Sequence, residues 1–171
     1  MPSGSSLKHH ARPLYTPQQR QRRDASVWTL IQGVLAPLQF LVFLVSLGLV
    51  CRFLATGEGQ AAATISIVVK TFVLYTIMVT GAIWEKEVFG QYLFAHAFFW
   101  EDVVSMLVIA LHTGYMYFLI TGTLDVHALM YLALSAYATY LVNAAQFLWK
   151  LRNARLQAAA VQSDLSGGVP A

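Results

Sequence analysis

Four stretches of the chain are almost continuously apolar, at residues 27–53, 62–84, 98–120 and 126–149. Each reaches or exceeds the ~20 residues that a helix needs to cross the hydrocarbon core of a bilayer. Within them the few polar or small residues recur at helical spacing, so each predicted helix carries a thin seam that should turn toward its neighbours. In the first span the seam is Gln32, Ala36, Gln39, Phe43 and Ser46; in the third it is Glu101, Ser105, Val108 and His112. In the fourth it is Ser135, Thr139, Asn143, Gln146 and Lys150. Pro37 falls inside the first span, where its missing N–H predicts a kink rather than a break. The expected fold is all-α: a polytopic membrane protein of four transmembrane helices.

The connections are short. Gly57 and Gly59 mark the first turn, and residues 122–125 return the chain into the last span. Residues 1–26 are polar and basic, broken by Gly4, Pro2, Pro13 and Pro17, and are expected to form a disordered cytoplasmic tail. They are too polar, and too long before the first apolar run, to read as a signal peptide. Residues 27–155 then make one transmembrane domain, and residues 156–171 a second disordered tail. Lys70 lies inside the second span, about 10 Å from its outer end at 1.5 Å per residue. That depth lets the ammonium snorkel outward, with a functional role as the open alternative.

Composition agrees with the pattern: 57% of the residues are hydrophobic and 11% charged, against roughly 25% charged in an ordinary soluble domain. Mean hydropathy is +0.58. The lone Cys51 excludes an internal disulfide or a cysteine metal cluster and reads best as a small apolar group. Lys8, Arg12, Arg20, Arg22 and Arg23 in the tail, Lys86 in the middle loop, and Lys150, Arg152 and Arg155 after the last span fall on one side if both termini are cytoplasmic. Arg52 faces the other side, so the positive-inside rule gives that orientation. Nothing in the chain resembles a phosphate-binding loop, a metal-ligand cluster or a nucleophile–base arrangement, and no nucleic-acid partner is expected.

Chemistry concentrates between Trp84 and Thr113, where four of the chain's eight carboxylates gather around the entrance to the third span. Glu101 and Asp102 have an ordinary explanation, because the first turn of a helix favours acids. Glu85 and Glu87 do not; they follow the C-terminal end of the second span, where the same dipole disfavours negative charge. Adjacent acids on a helix point about 100° apart, so Glu101 and Asp102 should not face one another. His112 lies about 16 Å along the axis from Glu101, deep in the span. It reads either as a hydrogen-bonded core histidine or as a ligand-binding group. His96, His127 and the aromatic clusters near the interfaces need no special role.

The runs LYTPQQRQRRD, WTLIQGVLAPLQFLVFLVSLGLVCRFLATGEG, WEKEVFGQYLF and FFWEDVVSMLVIALHT resemble the bacterial 3-vinyl bacteriochlorophyllide hydratases, also called chlorophyllide 3-vinyl hydratases. The likeness covers about residues 14–155. It implies a lyase of bacteriochlorophyll synthesis that needs no cofactor of its own, its substrate carrying magnesium, in the inner membrane of a phototrophic bacterium. Water is added across the vinyl group of chlorophyllide or bacteriochlorophyllide to give a 3-(1-hydroxyethyl) arm. Membrane lipid and other pigment-biosynthesis enzymes are the further partners implied.

Hydration of a conjugated vinyl arm needs an acid that gives a proton to the terminal carbon, and a group that orients water and takes its proton. The resemblance supplies no residue roles, so these are assigned from the residues. Glu101 or Glu85 is the expected proton donor, with Glu87 or Asp102 positioning water. His112 would ligate the substrate's magnesium or bond a ring carbonyl, and Lys86, Lys150 or Arg152 would hold its propionate. A non-catalytic pigment carrier or assembly factor is the competing reading, though it has no need of four acids. A haem protein would need two axial ligands at one depth, which His112 and His127 do not provide.

Overall fold

The computed structural model describes residues 14–167, which form five helices and, among these residues, no strand. They are α1 (Pro17–Ala25), α2 (Val27–Thr56), α3 (Gln60–Phe89), α4 (Phe99–Thr121) and α5 (Val126–Gly167). Helices α2, α3 and α4, and α5 over Val126–Leu156, are long and apolar enough to cross a membrane. The 30 residues of α2 span about 45 Å at 1.5 Å per residue, so its ends pass beyond a hydrocarbon core of about 30 Å. Despite Pro37, α2 is unbroken.

Local chemistry explains where the helices stop. Gly57, with φ of 74°, ends α2 in a left-handed residue whose N–H bonds the Phe53 carbonyl, and Gly122 (φ 63°) ends α4 in the same way. The Asp125 carboxylate accepts the N–H groups of His127 and Ala128 at 2.9 and 3.0 Å, capping the start of α5. Those donors, Ala128 foremost, hold its carboxyl below the ordinary aspartate range.

Helix α2 lies against α3 and α4 against α5, two hairpins joined through α2–α5 and α3–α4 contacts. Phe43, Ile67, Val108, Met130 and Tyr137 fill the middle. Leu41, Val45, Ile65, Phe72 and Leu107 point outward and are exposed, as the lipid-facing side of a membrane bundle requires. The polar seams mostly turn inward. Gln39, Phe43 and Ser46 are buried, Gln32 bonds Thr80 across to α3 at 2.7 Å, and Ala36 is exposed. Glu101, Ser105, Val108 and His112 are all buried. On α5 the seam is displaced, because Ala133, Ala136, Tyr137 and Tyr140 take the core face and leave Ser135 exposed.

Three expectations need correction. The segment 1–26 is not wholly irregular: α1 forms because Thr16 and Gln19 make a reciprocal capping box ahead of Pro17 at the first helical position. Tyr15 anchors it, buried against Phe89 and Phe98 with the Arg23 guanidinium 4.8 Å from its ring centre, and burial pushes its phenol up. The C-terminal segment is likewise helical to Gly167, since the run from Leu156 to Ala160 is made of good helix formers. Residues 1–13 and 168–171 lie outside the described residues. Finally, Lys70 does not snorkel. Its side chain is fully buried, with Nζ 4.0 Å from the centre of the Tyr140 ring.

Candidate active site at the α3–α4 turn

Glu85 sits in the last turns of α3 and Asp102 in the first turn of α4, and the intervening turn folds them onto each other. Both side chains are buried, and the consecutive amides of Phe94 and Ala95 each hold a carboxyl oxygen of one of them, which sets the two groups side by side. Two neighbouring carboxyl groups out of water are an arrangement in which a carboxylic acid can persist to give up a proton.

The turn itself holds the pair. Gly90, with φ of 89°, ends α3 and sends the chain back over the helix ends. The Phe94 N–H then donates to Asp102 Oδ2 at 2.7 Å, and the Ala95 N–H to Glu85 Oε2 at 3.2 Å. To present these neighbouring amides Phe94 adopts φ of 59°, a left-handed conformation costing an ordinary residue about 1–2 kcal/mol. Among the described residues it is the sole non-glycine residue with positive φ. Strain held in place by hydrogen bonds to buried acids is the kind found where backbone geometry serves a site.

Glu101 has a different partner. Its Oε2 lies 2.5 Å from Lys150 Nζ on α5, forming an ion pair whose lysine also donates to the Ala97 carbonyl and stands 5.0 Å from the centre of the Phe98 ring. Asn143 Nδ2 donates to the Glu101 carbonyl at 2.8 Å, fixing the depth at which α4 and α5 meet. Glu101 and Lys150 also line a groove of about 620 Å³ with Leu14, Val142, Gln146 and Trp149. The Gln146 Oε1 atom is buried there without a hydrogen-bond partner, an acceptor free for a guest.

Of the residues singled out from the sequence, the structure brings together Glu85, Glu101, Asp102 and Lys150. It leaves the others apart. Glu87 is exposed and Arg152 is exposed. Lys86 is exposed as well, its ammonium bonded to the Gly90 carbonyl at 2.8 Å. His112 is buried farther along α4, its Nδ1 paired with the Val108 carbonyl at 2.8 Å. His127 is exposed at the start of α5, at a different depth from His112. Sequence reasoning missed the two amides and placed Gln146 on the polar seam of the last span without a role at the site. Phe94 carries no glycine or asparagine signal for its left-handed turn, and backbone donors have no residue signature.

A groove with a carboxylate on its wall and two buried carboxyl groups on the same end of four membrane-length helices is an arrangement suited to acid–base chemistry. Residues 15–153 match the 2-vinyl bacteriochlorophyllide hydratases, and the chain belongs to that family. It is 67% identical over 162 residues to the 2-vinyl bacteriochlorophyllide hydratase of Cereibacter sphaeroides, covering 94% of this chain and 99% of that protein. To the protein of the same name from Rhodobacter capsulatus it is 70% identical over 146 residues, 85% of each chain. The locants 2 and 3 number the same vinyl arm in two conventions for the macrocycle. No solved structure matches the chain.

Proposed function

We propose that this protein adds water to the vinyl group of a chlorophyllide or bacteriochlorophyllide, giving the 1-hydroxyethyl arm, with the Glu85–Asp102 pair as proton donor. The family supports the reaction, and the burial of two carboxyl groups side by side under the consecutive amides of Phe94 and Ala95 is the observation that carries the donor assignment.

The steps balance. A proton passes from the carboxyl pair to the terminal vinyl carbon, and the conjugated ring delocalises the cation left on the inner carbon. Water attacks that carbon. Glu101, beside Lys150, takes the proton released as the C–O bond forms and passes it to solvent, from which the pair regains the proton it gave. The groove beside Glu101 receives the ring edge, its apolar wall of Leu14, Val142 and Trp149 excluding bulk water from the cation.

Lys150, beside that wall, is the cation best placed to attract the substrate's propionate; Lys86 and Arg152 lie at the surface, where they would meet it on entry. In this reading the protein is a multi-pass inner-membrane enzyme with both termini and the α3–α4 turn at the cytoplasmic face, reached by pigment arriving from other enzymes of the same synthesis. The test is to incubate membranes containing this protein alone with a 3-vinyl chlorophyllide and determine product mass. A gain of one water supports the reading. Pigment that binds and returns unchanged would make the protein a carrier.

A further inference from the structure

The middle of the bundle holds polar groups that the reaction above does not use. Lys70 on α3, His112 on α4 and Gln39 on α2 are each at most 1% exposed, and Lys70 Nζ, His112 Nε2 and both amide atoms of Gln39 lack any hydrogen-bond partner. They belong to one neighbourhood. Lys70 Nζ lies over the Tyr140 ring, and Tyr137, three residues before Tyr140 on α5, stands edge-on to Phe43. Tyr140 packs on Phe43, one turn along α2 from Gln39. The His112 ring lies 5.9 Å from that of Tyr137.

Hydrogen-bond directions define what these groups can accept. The Val108 carbonyl can only accept, so His112 Nδ1 carries a hydrogen and Nε2 of the neutral ring presents a bare lone pair. Lys70 presents only donors, and Gln39 presents both kinds. The neighbouring hydroxyls form a directed chain: Ser66 donates to the Ala63 carbonyl, so Ser46 donates to Ser66 and Tyr137 to Ser46, at 2.7 and 2.5 Å. Tyr137 thus keeps an oxygen lone pair free.

An anion would meet the imidazole lone pair with its own. A metal cation would meet the lysine, and among the described residues no cluster of three His, Cys, Asp or Glu side chains could hold one. A guest that both donates and accepts satisfies every group at once. We propose that Lys70, His112 and Gln39 wall an internal hydration site, in which water accepts from Lys70 and donates to His112 in the middle of the membrane. Buried polar groups left without protein partners are where internal water is found, provided that several of them converge. The site is separate from the carboxyl pair and stands whether or not Glu85 and Asp102 carry the reaction.

Radiolytic hydroxyl labelling of the intact protein in detergent micelles, read by mass spectrometry, tests it. Hydroxyl radicals made from a bound water attack the side chains beside it, whatever their exposure to bulk solvent. His112 and Tyr140 are expected to label severalfold faster than Phe98, a buried aromatic residue that packs with Tyr15, Trp84 and Phe89 at the turn end of the bundle. Lys70→Met is expected to lower the labelling of His112 and Tyr140 while leaving exposed Tyr92 unchanged. The wild-type measurement decides alone if that variant does not fold. Labelling of His112 and Tyr140 no faster than that of Phe98 shows a dry interior and overturns the proposal.

Discussion

Glu85 and Asp102 close on each other across the α3–α4 turn, each with one oxygen held by a backbone amide of that turn, Ala95 for Glu85 and Phe94 for Asp102. Two acids fixed in this way cannot separate to relieve their repulsion, and a proton on one of them removes it. The lysine of the neighbouring ion pair makes its own contact with Glu101.

Removing the transferable proton while keeping the shape is the direct test. Glu85→Gln preserves an acceptor for the Ala95 N–H and provides an amide donor for Asp102, so the turn should fold. Product formation should fall by about 10²–10⁴-fold, the usual contribution of a positioned general acid, while pigment binding followed by absorbance persists. Asp102→Asn should behave alike. A full rate in both variants would remove the pair from the reaction.

The ion pair predicts a stability effect. Lys150→Met leaves the buried Glu101 carboxylate without its cation; because a quarter of the lysine side chain is solvent-exposed, the loss should be modest, about 1–2 kcal/mol. Combining it with Glu101→Gln removes the unpaired charge and should restore part of that loss. Thermal unfolding of the four members of this cycle in one detergent measures the coupling. Strict additivity would mean that the contact contributes nothing.

The four spans were legible because hydrocarbon solvent imposes a strong rule: each backbone polar group must be satisfied within its own helix, so long apolar runs can only be helices. The α4 seam was legible for the same reason, since Glu101, Ser105 and His112 share a face wherever the helix is placed. Which acid meets which was not. The Glu85–Asp102 contact depends on the path of the turn between them, and that path rests on a left-handed phenylalanine that no propensity anticipates. Lys70 was misjudged because depth along a helix says nothing of direction around it. It points at Tyr140 rather than toward the headgroups.

The turn gives its own prediction. Phe94→Gly keeps the N–H donated to Asp102 and removes the steric cost of positive φ. Relief of about 1–2 kcal/mol is set against about 0.5–1 kcal/mol of added chain entropy, so stability should change little. Phe94→Pro fixes φ near −65° and deletes the donor, offending both requirements. It should lower stability and turnover together. Equal activity in the proline variant would show that the amide is not needed at Asp102.

Orientation is the prediction on which substrate access depends. Glu58 is exposed in the α2–α3 turn, and His96 is exposed in the turn at the opposite end of the bundle. With the basic residues inside, a membrane-impermeant maleimide should label Glu58→Cys, made in a Cys51→Ser background, from outside intact spheroplasts. In the same background His96→Cys should label only in inverted vesicles. Labelling His96→Cys from outside would place the carboxyl pair and the groove on the far side of the membrane. A pigment made in the cytoplasm would then have to cross the bilayer before it met an acid, and the proposed entry route would be lost even if the hydration chemistry stood.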